Sequence, residues 1–174
     1  MIEGADRVAA VVGAAIVVVL QLVLAPNIAL FAAVPNFVLA YVLVVALVRA
    51  NTCGFVMPFV LGMIFDIVGG GPLGAMALLL ILATLALSRA FAVLNNDTLF
   101  MPVALLVAGS IFVELFYAVL LMATGVSVGF FDAFVYRALP CAVFDCVLAL
   151  VMFPIASRFL TRRDSLQSGS PLVG

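Results

Sequence analysis

Gly62-Met63-Ile64-Phe65-Asp66-Ile67-Val68-Gly69-Gly70-Gly71-Pro72-Leu73-Gly74 reads as a helix, a stop and a turn. The first part is apolar except for one acid, Asp66. Three glycines and a proline then end the helix and reverse the chain tightly. Upstream, Gly54, Pro58, Gly62 and Asp66 recur at every fourth residue, so small and polar groups share one helix face. In lipid, such a face packs on other helices, because small residues let backbones approach closely. The segment 55–68 is therefore a short span with Pro58 in its first turn, where proline is tolerated. A second span, about 74–92, leaves the turn. At least one glycine of the turn is expected at positive φ, or where another helix comes close.

The same alternation of apolar run and break extends in both directions. Span one covers about 8–25 and ends at Ala25-Pro26-Asn27. Span two, about 28–48, holds Pro35-Asn36 and closes at Arg49. Crossing takes about 20 residues, so 36–48 alone is too short. Either 28–48 crosses with a proline kink, or 26–35 is a re-entrant or interfacial piece that feeds a short helix; the second is favoured. Span five is about 99–123, with Asp97 or Thr98 as its N-cap, and span six is about 132–158, with Asp132 as a candidate cap. The tail 161–174 is polar, Ser-rich and expected to be disordered. The expected organisation is one transmembrane helical domain, 1–160, followed by that tail.

Composition agrees. Hydrophobic residues make up 68% and charged residues 9% of the 174, against roughly 45–50% and 25% in soluble domains. No loop is long enough to hold a soluble catalytic domain, so no enzyme is expected. The charge balance is seven basic residues against eight acidic, all seven basic ones arginine. A net charge of −1 argues against a nucleic-acid partner. If all six spans cross, Arg7, Arg49, Arg89, Arg158, Arg162 and Arg163 fall on one face and Arg137 toward the other. That is the positive-inside pattern and places both termini in the cytoplasm of a bacterial inner-membrane protein. The first residues lack the basic region of a cleaved signal, so span one is expected to be retained. Cys53, Cys141 and Cys146, with no histidine anywhere, do not make a zinc pattern. They read as small buried apolar residues. No metal and no cofactor is expected.

Four charges within the spans need placing: Asp66, Glu114, Arg137 and Asp145. Intramembrane charges face protein or a watery cavity. Asp66 and Arg137 share the outer level, so an ion pair between them is allowed by depth. Glu114 and Asp145 lie near mid-span without a basic residue at that depth, so at least one is expected to be neutral. Ser110, Glu114 and Tyr117 share one face of span five; Arg137, Cys141 and Asp145 share one of span six. The plain reading is internal hydrogen bonding; the sharper one is a proton relay. An aspartyl-protease dyad is excluded by the differing depths of Asp66 and Asp145. Nor is the glycine turn a phosphate loop, since it lacks the Lys-Ser/Thr ending.

From span two to span four the chain resembles the bacterial rod shape-determining MreD family. The residues are Pro35-Asn36-Phe37 opening a helix, Tyr41, Arg49, Gly62-x-x-x-Asp66 and Gly70-Gly71-Pro72-Leu73-Gly74. Leu139-Pro140, Asp145, Pro154 and Arg158 look like that family's last helix. Two positions depart from its pattern: Asn36 stands where Asp is common, and Asp145 where Asn is common. The resemblance implies a non-enzymatic component of the cell-elongation machinery. Such a protein binds the bitopic membrane protein MreC. With it, and with cytoplasmic MreB filaments, it positions the peptidoglycan synthase pair of RodA and a class B penicillin-binding protein. The implied fold is all-α, with about six transmembrane helices, similar to the capture subunits of energy-coupling-factor vitamin transporters. Gly62, Asp66, Gly70, Pro72, Leu73, Gly74, Glu114, Arg137 and Asp145 are the candidate structural or partner-binding residues.

Two other functions fit a chain of this kind. A vitamin-capture subunit would use Ala10-Val11-Val12-Gly13-Ala14 on the first helix as its coupling surface. The outer loops, however, hold few of the convergent polar groups that a vitamin pocket needs. A small proton-coupled transporter rests on Glu114 and Asp145 alone. Co-purification separates the three: a bitopic partner, an ATPase module, or a bound small molecule.

Overall fold

The computed structural model describes residues 2–29, 34–49, 54–94, 100–124 and 139–160. Within them the chain is all-helical: α1 Ile2–Val23, a 3-10 turn at Ala25–Asn27, α2 Phe37–Val48, α3 Val56–Gly69, α4 Ala75–Val93, α5 Phe100–Ala123 and α6 Leu139–Leu160. Four stretches are long and apolar enough to cross a bilayer: Val8–Asn27, Ala75–Val93, Phe100–Ala123 and Leu139–Arg158. The helices α2 and α3 are shorter. Asp97, Thr98, Asp132, Arg137, Cys53 and the tail 161–174 lie outside the described residues.

The shortest helix is the centre of the molecule. α2 packs on each of the other five helices, and these neighbour one another in the order α1, α3, α4, α5, α6 and back to α1. The sequence of α2, Phe-Val-Leu-Ala-Tyr-Val-Leu-Val-Val-Ala-Leu-Val, is apolar on every side. A helix of that kind has no face to give to water and belongs in an interior. Phe37 to Leu47 are accordingly all buried. At about 1.5 Å per residue it spans about 18 Å, well short of the hydrocarbon core of about 30 Å. Of the two alternatives for 28–48, a continuous kinked helix is therefore not the one adopted. The helix starts at Phe37, and residues 34–36 are not helical. Such an end is tolerable at membrane depth only where protein satisfies the freed backbone groups.

The outer helices show the reverse pattern. α1 exposes Val11, Val19 and Val23 and buries Val17 against the centre. The Tyr41 hydroxyl donates to the Ala10 carbonyl at 2.8 Å and ties α1 to α2. On α3 the small face found in the sequence turns to α4: Pro58, Gly62 and Asp66 are buried. A side chain on Gly62 would collide with the backbone of Met76 and Ala77. Gly54, the first member of that stripe, is exposed and has open space beside it.

Candidate functional site

Two polar assemblies interrupt this apolar bundle. The first closes the start of α2. A helix N-terminus carries N–H groups without intrahelical partners and a partial positive charge. The Asn36 N–H donates to Asp145 Oδ1 on α6 at 2.7 Å. The Phe37 N–H donates to Gln21 Oε1 on α1, also at 2.7 Å. The Leu39 N–H donates to the Asn36 side-chain Oδ1 at 2.9 Å, which makes Asn36 the N-cap. Gln21 completes the clamp by donating from Nε2 to the Pro35 carbonyl at 3.3 Å. The free start of an interior helix is thus held from both flanks by side chains of α1 and α6. Asp145 is fully buried and Asn36 is nearly so.

Glu114 on α5 stands beside Asp145, and the Cys146 thiol lies against Ser110 on the same helix. The depth match between Glu114 and Asp145 read from sequence is therefore a contact. The buried Asn36 Nδ2 has no hydrogen-bond partner among the described residues. Asn36 and Asp145, the two positions that depart from the expected residue types, are direct partners.

The second assembly is the turn between α3 and α4. Asp66 is fully buried. Its carboxylate accepts from the N–H of Gly74 at 2.9 Å, of Met76 at 3.1 Å and of Ala77 at 3.4 Å. It does for α4 what an N-cap does, but from the preceding helix. A carboxylate is well placed there by the charge of the helix start. Two glycines supply the backbone that brings α4 round: Gly70 at φ 65° and Gly74 at φ 89°. Residues with a Cβ rarely adopt that conformation. Gly71 lies under the Tyr117 hydroxyl, where a side chain would clash, and Tyr117 meets Phe65 edge-on with ring centres 6.0 Å apart. The turn is therefore held at Gly74 by Asp66 and approached closely at Gly71 by Tyr117. Its tip is not covered: Leu73 is 73% exposed, and Ile67 and Val68 in the last turn of α3 are exposed as well.

Of the residues singled out by sequence, the structure gathers Asp66, Gly70, Pro72, Leu73 and Gly74 at one turn, with Gly62 inside α3 against the backbone of α4, and Glu114 with Asp145 at another place. The pairing expected between Asp66 and Arg137 involves a residue outside those described. The partners found for Asp66 are backbone N–H groups, and the sequence reading did not foresee them. It also passed over Gln21, the one amide in the apolar run 8–25, whose isolation there was the available signal. Among the described residues no group of His, Cys, Asp and Glu could hold a metal ion.

A family model described as rod shape-determining protein MreD matches residues 7–163, nearly the whole chain. No curated protein and no solved structure matches. The likeness to energy-coupling-factor capture subunits expected from sequence therefore has no support.

Proposed function

Because the chain belongs to the rod shape-determining MreD family, we propose that it acts as a non-enzymatic scaffold of the cell-elongation complex. In this reading it binds the bitopic protein MreC and, through that complex, helps position peptidoglycan synthesis by RodA and its penicillin-binding partner along MreB filaments. It sits in the inner membrane with both termini cytoplasmic, as the six-to-one division of arginines suggests. A scaffold needs a fixed surface more than a reactive one. The observation that carries the reading is the exposed Leu73 on a turn immobilised by Asp66. An apolar side chain held rigid at an exposed tip loses little entropy when a partner covers it.

The transporter readings have less behind them. Glu114 and Asp145 do meet, but Asp145 is engaged in holding the start of α2. The test is purification of the tagged chain from native membranes, followed by mass spectrometry. MreC in near-stoichiometric yield supports the scaffold. An ATPase module in its place, or a bound small molecule, refutes it.

A further inference from the structure

A groove of about 950 Å³ runs between α1 and α3. Its α1 wall is built from Ala10, Ala14 and neighbours out to Val18, and its α3 wall from Val56 to Ile64. Small residues on α1 leave the room. Each wall covers nine residues, a rise of about 12 Å from first to last, so the groove reaches through somewhat less than half of a hydrocarbon core of about 30 Å. A transmembrane helix of a partner would need the full depth. A single lipid needs one leaflet. The lining is apolar except at one end, where the half-buried Arg49 closes it at the C-terminus of α2. That end is the same side of the bundle as Arg89 and Arg158, near the last turns of α4 and α6.

We propose that this groove seats one acyl chain of an anionic phospholipid, with the phosphate at the Arg49 guanidinium. The groove matches such a molecule in polarity along its length: hydrocarbon beside Ala14 and Val60, charge at the arginine. A guanidinium meets a phosphate with paired N–H donors, which an ammonium does not. The bound lipid would fill the gap that the small residues leave between α1 and α3. It would also fix the first helix, which otherwise exposes much of its length.

The experiment uses the full chain in nanodiscs made from equal parts of phosphatidylglycerol and phosphatidylethanolamine, then extracted into detergent. Native mass spectrometry counts the lipid retained. The wild type is expected to keep phosphatidylglycerol in preference to phosphatidylethanolamine. Arg49→Gln should lower that retention about fivefold, the effect of one basic residue at an anionic surface, and Arg49→Lys should restore part of it. Arg89→Gln, a change of the same charge outside the groove, should leave it unaltered. Val56→Trp gives a second arm that does not touch the core, since Val56 is 75% exposed; it should displace the lipid while circular dichroism stays unchanged. Equal retention by wild type and Arg49→Gln, an equal loss in Arg89→Gln, or no preference between the two lipids overturns the proposal. So does crosslinking of Val60 to a protein helix in native membranes in place of lipid.

Discussion

Replacing Asp145 by alanine removes the acceptor for the Asn36 N–H, a bond of 2.7 Å in a fully buried place. The donor left behind cannot turn to water, because Asn36 and Phe37 are themselves buried. An orphaned buried N–H costs about 1–3 kcal/mol. The expected destabilisation is therefore about 1–3 kcal/mol, or roughly 3–10 °C in melting temperature for a chain of this size. Asp145→Asn is the informative companion. Its Oδ1 still accepts from Asn36, and its new amide can donate to Glu114, so its effect should stay below about 1 kcal/mol. Thermal melts followed by circular dichroism in detergent suit a protein without tryptophan. Gln21→Ala should behave like Asp145→Ala in milder form. The double variant should deviate from the sum, since both side chains hold adjacent N–H groups of one helix start. Equal melting of wild type and Asp145→Ala, or equal losses for Asn and Ala at 145, would refute the reasoning.

Gly62→Leu forces side-chain atoms into the backbone of α4 and should abolish monodisperse purification, whereas Gly54→Leu, with open space around it, should purify normally. Gly74→Ala places a Cβ at φ 89° and should cost roughly 1–2 kcal/mol in the same melts, despite the room beside it. For Asp66→Ala the loss should be larger than for Asp145→Ala, since three N–H groups lose their acceptor; if the two variants melt alike, the capping account of the turn fails. Reporter fusions after Ser170 should report a cytoplasmic C-terminus, and a periplasmic signal there would reverse the assigned orientation.

Hydropathy and breakers carried most of the architecture. The apolar runs located α1, α3, α4, α5 and α6, and Pro35-Asn36 marked the start of α2. The all-round apolar sequence of α2 was the sign that it lies at the centre. The polar contacts were less legible because each depends on a path through space. Asp66 reaches N–H groups eight to eleven residues later only because Gly70 and Gly74 fold the chain back over it. Depth arguments assigned Asp66 to an outer level but could not rank a backbone helix start against Arg137 as its partner. Asn36 and Asp145 are 109 residues apart, and no periodicity within one helix relates them. Their joint departure from the expected residue types was visible in the sequence, but the bond between them uses the Asn36 backbone N–H and so depends on the side chain at 145 alone. Gln21 was missed for a different reason: an uncharged amide in an apolar run draws less notice than a charge, though its backbone bonds do the same work.

The scaffold account stands most directly on whether the fixed turn is where MreC is held. Leu73→Asp changes an exposed side chain and leaves Asp66, Gly70 and Gly74 in place, so the variant should fold and melt as the wild type does. The measurement is the ratio of MreC to tagged chain after purification from native membranes. The account predicts that Leu73→Asp lowers that ratio at least about tenfold, the equivalent of about 1.4 kcal/mol at an exposed apolar contact. An unchanged ratio in a normally folded Leu73→Asp protein would contradict it.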